Sequence, residues 1–220
     1  MKVVRLIRHA ESAANAGLAT SAPDSIPLTE KGQFQARAFA DSITSAPDLI
    51  ISSPFERAIA TALTTTERFS QATFEIWPVE EFTYLSQNRF AGTTQADRKP
   101  HAVSYWGNGD AEIIHGPGAE SFDHLLGRAD AMLTRIADHD AQEILVFSHG
   151  QFIRAVAWLI KHGGHASSYD LMREFRALDV REPFRNCSSY QLVLSCGGWA
   201  VEGLIDSSGQ EKFIDEFCTK

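Results

Sequence analysis

Three segments of this 220-residue chain place arginine or histidine at the end of a run of apolar residues. Arg8 and His9 follow the first run, Arg57 lies shortly after the second, and His149 follows a later one. Arginine side chains bind phosphoryl oxygens through paired donors. A neutral imidazole can attack phosphorus and carry the group as a phosphohistidine, and a second imidazole, if protonated, can stabilise charge on the equatorial oxygens. These residue types therefore predict phosphoryl-transfer chemistry.

Arg57 occupies a position where a positive charge is unfavourable unless an anion binds nearby. The segment Ser52-Ser53-Pro54 predicts the start of a helix, with Ser53 as its N-cap and with Pro54 and Arg57 in its first turn. A helix N-terminus carries partial positive charge, so a cation there costs about 0.3–1 kcal/mol. The placement becomes favourable if Arg57 and the helix amides face the same anion. We therefore interpret Arg57 as part of an anion site.

A sheet is needed to bring these residues together. Continuous apolar runs predict strands at residues 3–8, 48–52, 74–79 and 143–148, and a closing hairpin is predicted at residues 188–195 and 199–205. Helices alternate with the strands, which predicts an α/β fold: a three-layer sandwich with a mostly parallel central sheet and helices on both faces. Ligands bind beyond the carboxyl ends of such strands, where neighbouring strands would deliver the arginines and histidines to one place.

Helices are predicted between these strands. Thr29 is a natural N-cap for the first helix, whose apolar residues Phe34, Ala38 and Ile43 share a face. Ser121 begins the helix with the clearest periodicity, where apolar residues recur at intervals of three and four. Another helix is predicted from Gly150 to about residue 161.

Residues 80–118 are rich in Gly and aromatic residues and show no clean periodicity. We predict a loop-rich insertion at about residues 82–117, lying over the C-terminal strand edge as a lid or specificity segment. It carries Arg89, Arg98, Lys99 and His101, so substrate selection is expected there. The chain as a whole, residues 1–220, is predicted to form a single domain.

The composition narrows the class of protein. A hydrophobic content of 44% with 22% charged residues is typical of a globular protein, and the net charge of −8 argues against a nucleic-acid partner. No apolar run approaches a membrane span, and the N-terminal stretch is too short and too charged for a signal peptide. Cys187, Cys196 and Cys218 are interpreted as reduced thiols, which favours a cytoplasmic location. We expect no cofactor and no metal, and nothing here specifies an oligomeric state.

Several motifs together resemble those of one family. Arg8-His9-Ala10-Glu11-Ser12, followed by Asn15, resembles the opening Arg-His-Gly motif of the histidine phosphatase superfamily, the phosphoglycerate-mutase-like proteins of branch 1 type. The remaining matches occur in the family's order: residues 27–32 (PLTEKG), Ser52-Ser53-Pro54 with Arg57-Ala58, Glu120-Ser121 with Arg128, and Ser148-His149-Gly150. We treat residues 186–188 as a candidate extension of the match. Each motif is weak alone, but the ordered set is highly specific.

The resemblance implies roles for individual residues. His9 would be the phosphorylated nucleophile, and Arg8, Arg57 and His149 would complete the phosphate pocket. Asn15 would contact the transferred group. Glu81 is the best positional match to the family's proton donor, with Glu80 as the alternative.

The signature also contains a departure, because Ala10 stands where the family has Gly. Alanine would keep its backbone N–H for phosphate provided that φ there is not positive.

Sequence motifs of other phosphoryl-transfer and esterase classes are missing from the chain. The chain contains no GxxxxGK[ST] loop, no cysteine followed six residues later by Arg, no DxDx[TV] motif and no GxSxG elbow. The expected function is a metal-independent phosphomonoesterase acting on a small phosphorylated metabolite or another phosphate monoester. One alternative is a phosphoglycerate mutase, although residues 82–85 (FTYL) lack the basic run of family mutases. A catalytically silent phosphate-binding or regulatory protein is the other.

His162 and His165 could be a metal pair, but the glycines between them favour a solvated turn.

Overall fold

A computed structural model describes residues 1–164 and 168–206 together with the backbone of residues 211–212. The elements in chain order are β1 (Lys2–Arg8), α1 (Glu30–Ser42), β2 (Leu49–Ser52), α2 (Glu56–Arg68), β3 (Thr73–Ile76), α3 (Gln87–Phe90), α4 (Gln95–Asn108), α5 (Phe122–Asp138), β4 (Glu143–Ser148), α6 (Gly150–His162), α7 (Tyr169–Arg181), β5 (Ser189–Ser195), β6 (Gly198–Ile205) and β7 (Glu211–Lys212). Within these described residues, no helix is long and apolar enough to cross a membrane.

The strands of the described residues form one sheet in the order β3-β2-β4-β1-β5-β6-β7. The first four strands are parallel, and β5 to β7 add an antiparallel edge. The predicted α/β fold with a mostly parallel sheet is therefore confirmed. In register, Arg8 lies beside Ser148 and Ser52 lies beside Phe147. The carboxyl ends of β1, β4 and β2 are adjacent, as the convergence of the arginines and histidines requires.

The central strands are buried on both faces, which explains their continuous apolar sequences. Side chains such as Ile7, Ile50 and Phe147 pack on the face that α1 and α2 cover. Val146 and its neighbours point to the opposite face, where they join the larger core with α5, α6 and α7. This arrangement leaves the sheet edge beyond the strand ends as the natural place for a site.

The first helix buries a different face from the one predicted. Thr29 is its N-cap, as expected, and its hydroxyl accepts a hydrogen bond from the Gly32 N–H. Phe34 is 59% exposed and Ala38 is also exposed, whereas Ile43 is buried, so the prediction that these three residues share a face is wrong. The buried face consists of Gly32, Ala36, Phe39 and Ala40. Gly32 sets this rotation because it packs directly against the backbone of Glu11.

The helix that carries Arg57 begins later than predicted. It starts at Glu56, and its N-cap residue Phe55 makes no capping hydrogen bond through its side chain. The Ser53 hydroxyl accepts a hydrogen bond from the Phe55 N–H at 3.2 Å, in the turn before the helix. The prediction of Ser53 as N-cap is therefore wrong, while the placement of Arg57 in the first helical turn is correct.

The predicted insertion holds two helices as well as loops. The longer one, α4, begins with a capping box in which Thr94 and Asp97 exchange hydrogen bonds. Pro100 lies inside this helix, and the helix ends at Gly109 in the left-handed conformation. Helix α4 contacts α7, and neither helix was predicted from the sequence.

Gly32→Ala should lower the free energy of unfolding by more than about 2 kcal/mol, as overpacking in a buried contact does. A Cβ at this position would lie 2.0 Å from the Glu11 carbonyl oxygen, which is too close for any atom. Gly107→Ala in α4 is the matched control, because a Cβ there meets nothing within 4 Å. The control should be neutral or stabilise by up to about 1 kcal/mol. Urea unfolding measures both, and similar free energies for the two variants would contradict the prediction.

Candidate active site

His9 lies at the carboxyl end of β1 with a defined tautomer. Its backbone N–H donates to the Ser148 carbonyl oxygen at 2.9 Å, and its own carbonyl oxygen accepts from the Asn186 amide at 2.8 Å. The ring Nδ1 lies 2.7 Å from the Ala10 carbonyl oxygen, which can only accept, so Nδ1 carries the proton. Nε2 is therefore the ring atom with the lone pair, and the Arg57 Nε donates to it at 3.1 Å.

Arg57 is the buried cation next to that lone pair. Besides its bond to His9, it donates from Nη1 to the Pro23 carbonyl oxygen at 2.5 Å. Its guanidinium lies 4.9 Å from the centre of the Phe55 ring. Burial lowers the pKa of Arg57 to about 10, so the group remains charged at neutral pH.

Arg8 supplies the second guanidinium. Its Nη1 donates to the Phe184 carbonyl oxygen, and its Nε is buried without a hydrogen-bond partner. Burial lowers the pKa of Arg8, while the negative charges of Glu81 and Asp179 oppose that shift. Arg8 thus keeps donor capacity that no described residue uses.

His149 is fully buried beside His9. Its Nε2 lies 2.8 Å from the Ser53 hydroxyl, and the centres of the two imidazole rings are 5.1 Å apart. Its Nδ1 is buried and has no hydrogen-bond partner among the described residues. The Phe55 ring packs edge-on against the His149 ring at 5.2 Å.

Both imidazoles are neutral near pH 7. Burial lowers the pKa of His9 and of His149 well below the usual value, and Arg57 and Arg8 lower both further. A neutral His9 is suited to act as a nucleophile. The sequence analysis required the second imidazole to be protonated if it is to stabilise charge on the phosphoryl oxygens. His149 is neutral in this environment and does not meet that requirement.

Glu81 is the carboxyl group at the wall of the site. Its Oε1 accepts hydrogen bonds from the backbone N–H of Phe82 at 3.0 Å and of Gln151 at 3.1 Å. Burial raises the pKa of Glu81, although Arg57 and Arg8 act to lower it. A raised pKa keeps part of the population protonated closer to neutral pH, as a proton donor requires.

The neighbouring Glu80 has a different environment. Its carboxylate pairs with Arg128 at 3.3 Å, and the same guanidinium binds Glu120 at 2.7 Å. Arg128 also donates to the carbonyl oxygens of Pro78 and Glu80. These contacts fix the segment that precedes Glu81, so Glu80, Glu120 and Arg128 hold the backbone in place.

Asn15 lies in the loop that follows His9. Its carbonyl oxygen accepts from the Ser12 hydroxyl at 3.2 Å and from the Asn186 amide at 3.1 Å. Asn186 therefore connects this loop to His9. The next residue, Cys187, is buried and has a φ of 58°, in the left-handed region. Its backbone N–H donates to the Arg8 carbonyl oxygen at 3.0 Å, which ties this segment to the end of β1.

Ala10 has no role as a phosphate donor here. Its backbone does not have a positive φ, so alanine fits the conformation without strain. Its N–H donates instead to the Thr61 hydroxyl at 3.0 Å. The expectation that this N–H is free for phosphate is therefore wrong, and Ala10 instead connects the segment after His9 to α2.

A cavity of about 630 Å³ opens next to these residues. Arg57 and Glu81 are part of its wall, and the insertion contributes Arg98 and Lys99. Arg176 of α7 lines it as well. Four cationic side chains thus face one cavity in a chain of net charge −8. Its apolar wall consists mainly of Phe55, Phe82, Tyr84 and Phe90.

Sequence reasoning missed Gln151 and Arg176 as lining residues. Gln151 directly follows the Ser-His-Gly motif, so its position next to the site could have been read from the sequence. Arg176 lies on α7, whose periodic apolar residues Met172, Phe175 and Leu178 were a usable helix signal. Neither residue type alone indicates a role in binding.

The described residues contain no group of three His, Cys, Asp or Glu side chains arranged to hold a metal ion. His162 contacts the Trp158 carbonyl oxygen through Nδ1 at 2.9 Å, and its proposed partner His165 lies outside the described residues. Cys187 and Cys196 carry free thiols, and Cys218 lies outside the described residues.

The comparison with protein families agrees with this geometry. The profile of the histidine phosphatase superfamily (branch 1) matches residues 4–207. The chain therefore belongs to the histidine phosphatase superfamily, as its motifs indicated. A search of curated proteins found no significant match.

Three solved structures with a similar fold carry the name of a phosphatase and are distant in sequence. A mycobacterial glucosyl-3-phosphoglycerate phosphatase has a TM-score of 0.70 at 23% identity, over 92% of this chain and 98% of that chain. The α-ribazole phosphatase of Shigella flexneri has a TM-score of 0.71 at 21% identity, over 93% and 96%. A phosphoserine phosphatase mutant from Entamoeba histolytica has a TM-score of 0.72 at 19% identity, over 95% and 99%. At these identities the likeness shows the shared fold.

The lowered pKa values of His9 and His149 should make stability depend on pH. An ordinary histidine in the unfolded chain gains a proton as pH falls through about 6.5, whereas the buried imidazoles resist protonation. Their contribution is therefore fully present above about pH 6.5 and is lost as pH falls towards the folded-state pKa. Each group should lower the unfolding free energy by up to about 1.4 kcal/mol per pH unit in that range.

Urea unfolding between pH 7 and pH 5.5 measures this slope. His149→Gln should reduce it, whereas His124→Gln, at an exposed position on α5, should leave it unchanged. The raised pKa of Glu81 acts with the opposite sign and is shared by all three proteins, so it does not affect the comparison. Equal slopes for wild type and His149→Gln would contradict the prediction.

Proposed function

We propose that this protein is a metal-independent phosphomonoesterase that acts through a phosphohistidine on His9. One observation carries the proposal: the lone pair on Nε2 of a neutral His9 faces the Arg57 guanidinium at 3.1 Å, and the buried charge of Arg8 is near enough to lower the His9 pKa as well. Membership in the histidine phosphatase superfamily supports it. Arg8 and Arg57 supply the positive charge that a transferring phosphoryl group needs.

In the first step, His9 Nε2 attacks phosphorus and the bond from phosphorus to the leaving oxygen breaks. Arg57 Nε, which donates to Nε2 at 3.1 Å, would transfer its hydrogen bond to a phosphoryl oxygen as the lone pair forms the new bond. Glu81 gives its proton to the leaving oxygen, so the product is a neutral alcohol. The bond from His9 Nδ1 to the Ala10 carbonyl oxygen keeps the ring oriented throughout.

In the second step, water attacks the phosphohistidine. Glu81, now a carboxylate, accepts a proton from that water as the bond from Nε2 to phosphorus breaks. Phosphate leaves, and His9 and Glu81 return to their starting protonation states. His149 is neutral and has one N–H; with the Ser53 hydroxyl donating to its Nε2 at 2.8 Å, its Nδ1–H, which has no partner among the described residues, would donate to a phosphoryl oxygen. Asn15 would contact the transferred group through its amino group.

The proposal is tested with p-nitrophenyl phosphate in excess chelator. Wild type should turn over, and His9→Ala should lose activity by about 10³-fold or more, as loss of a nucleophile does. His124→Ala is the matched control and should retain wild-type activity, because this histidine is exposed on α5. A labelled substrate should leave a phosphoryl group on the wild-type protein only, and acid should remove that label.

Two results would contradict the proposal. Turnover that survives His9→Ala would assign the nucleophile elsewhere. Absence of turnover from folded wild type on a panel of phosphate monoesters would favour the catalytically silent phosphate-binding protein. Mutase activity has less support, because Phe82 and Tyr84 pack against each other at 5.2 Å where family mutases have a basic run.

The substrate is a small phosphate monoester whose alcohol portion occupies the cavity. The similar structures are named for different substrates, so the fold alone does not select one. In this chain, Arg98 and Lys99 of α4 add positive charge to the wall of the cavity that Arg57 also lines. This favours an alcohol portion with its own negative charge, and it is the proposed basis for specificity in residues 82–117.

Lys99→Ala should weaken selection for an anionic alcohol portion. The probes are 4-carboxyphenyl phosphate and its neutral analogue 4-carbamoylphenyl phosphate, compared by kcat/KM. Removing one cation near a carboxylate should lower the ratio of the two values by about 5-fold, with the neutral probe unchanged. Lys161→Ala, an exposed lysine of α6 that does not line the cavity, is the control. An unchanged ratio in Lys99→Ala would remove Lys99 from substrate selection.

A further inference from the structure

Asp179 of α7 joins three side chains near the cavity. Its Oδ2 accepts from the Gln151 amide at 2.9 Å and from Arg176 Nη1 at 2.7 Å. Its Oδ1 lies 3.4 Å from Nε of Arg154. The Asp179 side chain is only 14% exposed, and that of Arg154 is 1% exposed. A carboxylate so enclosed is held in one place.

Gln151 connects Asp179 to the candidate proton donor. Its side-chain amide binds Asp179, while its backbone N–H donates to Oε1 of Glu81 at 3.1 Å. Gln151 is the second residue of α6, directly after the Ser-His-Gly motif. With Oε1 occupied by Gln151 and Phe82, Oε2 is the oxygen left for the leaving group. Asp179 thereby fixes the residue that orients this carboxyl.

Arg176 shows a second effect of the same carboxylate. Its guanidinium is held by Asp179 and lies 5.1 Å from the centre of a Trp106 ring. It lines the cavity, as do Gln151 and Glu81. One side of the cavity therefore depends on Asp179 for its polar arrangement.

We propose that Asp179 is a positioning residue for Glu81 and controls proton transfer to the leaving oxygen, a role that rests on the phosphomonoesterase function proposed above. It acts through Gln151 by geometry and through its own negative charge. Asp179 does not touch the reacting atoms.

The charges that face Glu81 come from several elements and act in opposite directions. Arg57 on α2 and Arg8 on β1 lower its pKa, while Asp179 on α7 and burial raise it. Tyr84 of the insertion is near enough for its own pKa to respond to Glu81 and Asp179. Without the Asp179 charge, less would counteract the lowering of the Glu81 pKa by the two arginines. The Glu81 carboxyl would then ionise at lower pH, and less of the acid form would be present at neutral pH.

The experiment compares Asp179→Asn with wild type on two leaving groups. Protonation by Glu81 matters for 2-phenylethyl phosphate, whose alkoxide is a poor leaving group, and matters little for p-nitrophenyl phosphate. General acid catalysis contributes about 10²–10⁴-fold, so kcat/KM, which reports the step in which the leaving group departs, should fall by about 10-fold or more on the alkyl ester and by less than about 3-fold on the aryl ester. The alkaline limb of the pH profile should move to lower pH. Glu174→Gln, an exposed carboxylate on the same helix, should behave as wild type.

Conservative and compensated variants keep the result interpretable. Asp179→Glu retains the charge and should restore the alkaline limb at least in part. Because Asp179→Asn leaves the buried Arg154 without its carboxylate, the double variant Arg154→Met/Asp179→Asn replaces the pair if the single variant does not fold. An equal fall in activity on both esters, with an unmoved pH limb, would show a purely structural role and overturn the proposal.

A readout without turnover separates this proposal from the proposed function. Carboxyl carbon-13 NMR of labelled glutamate follows the titration of Glu81 directly, with Glu81→Gln used to assign the signal. A lower Glu81 pKa in Asp179→Asn would support the coupling even if wild type hydrolysed neither ester. An unchanged Glu81 pKa would overturn it, whatever the activity on the aryl ester.

Discussion

Burial of two guanidinium groups beside two imidazoles is the constraint on which the rest of the site depends. Arg8 and Arg57 lie at one edge of the sheet with His9 and His149, and both imidazoles are held neutral there. The partners of the arginines are mainly the carbonyl oxygens of Phe184 and Pro23. Carbonyl oxygens satisfy N–H donors but do not cancel a full charge. The edge therefore keeps a net positive potential that favours a phosphoryl group.

The order of strands in the sheet brings these four side chains together. With β2, β4 and β1 adjacent, their carboxyl ends lie together and the Arg57 side chain reaches His9 at 3.1 Å. The motifs at these strand ends could be predicted from sequence, because each follows a continuous apolar run typical of a strand buried on both faces. That prediction required the strands that end in these motifs to be neighbours in the sheet, and the parallel pairing of β1 and β2 with β4 meets this requirement.

Other features were less accessible from sequence, for physical reasons. The rotation of α1 depends on the contact of Gly32 with Glu11, which outweighs the apolar character of Phe34. Pro100 obscured α4, although the Thr94–Asp97 capping box was a usable signal. The bond from Gln151 to Asp179 joins two helices whose relative rotation depends on packing. No local pattern predicts a contact of that kind, so the environment of Glu81 required the structure.

The opposed charges around Glu81 have a chemical rationale. In the proposed mechanism the first step needs the Glu81 carboxyl protonated and the second needs it ionised, so a pKa far from the working pH in either direction would slow one of the two steps. If Arg8 and Arg57 bind phosphate as proposed, neither can be removed without loss of that binding, yet both lower the pKa of Glu81 and so favour its ionised form. Burial and the charge of Asp179 are the influences that oppose them. A carboxylate outside the phosphate cluster can therefore tune the acid without competing with the substrate for the arginines.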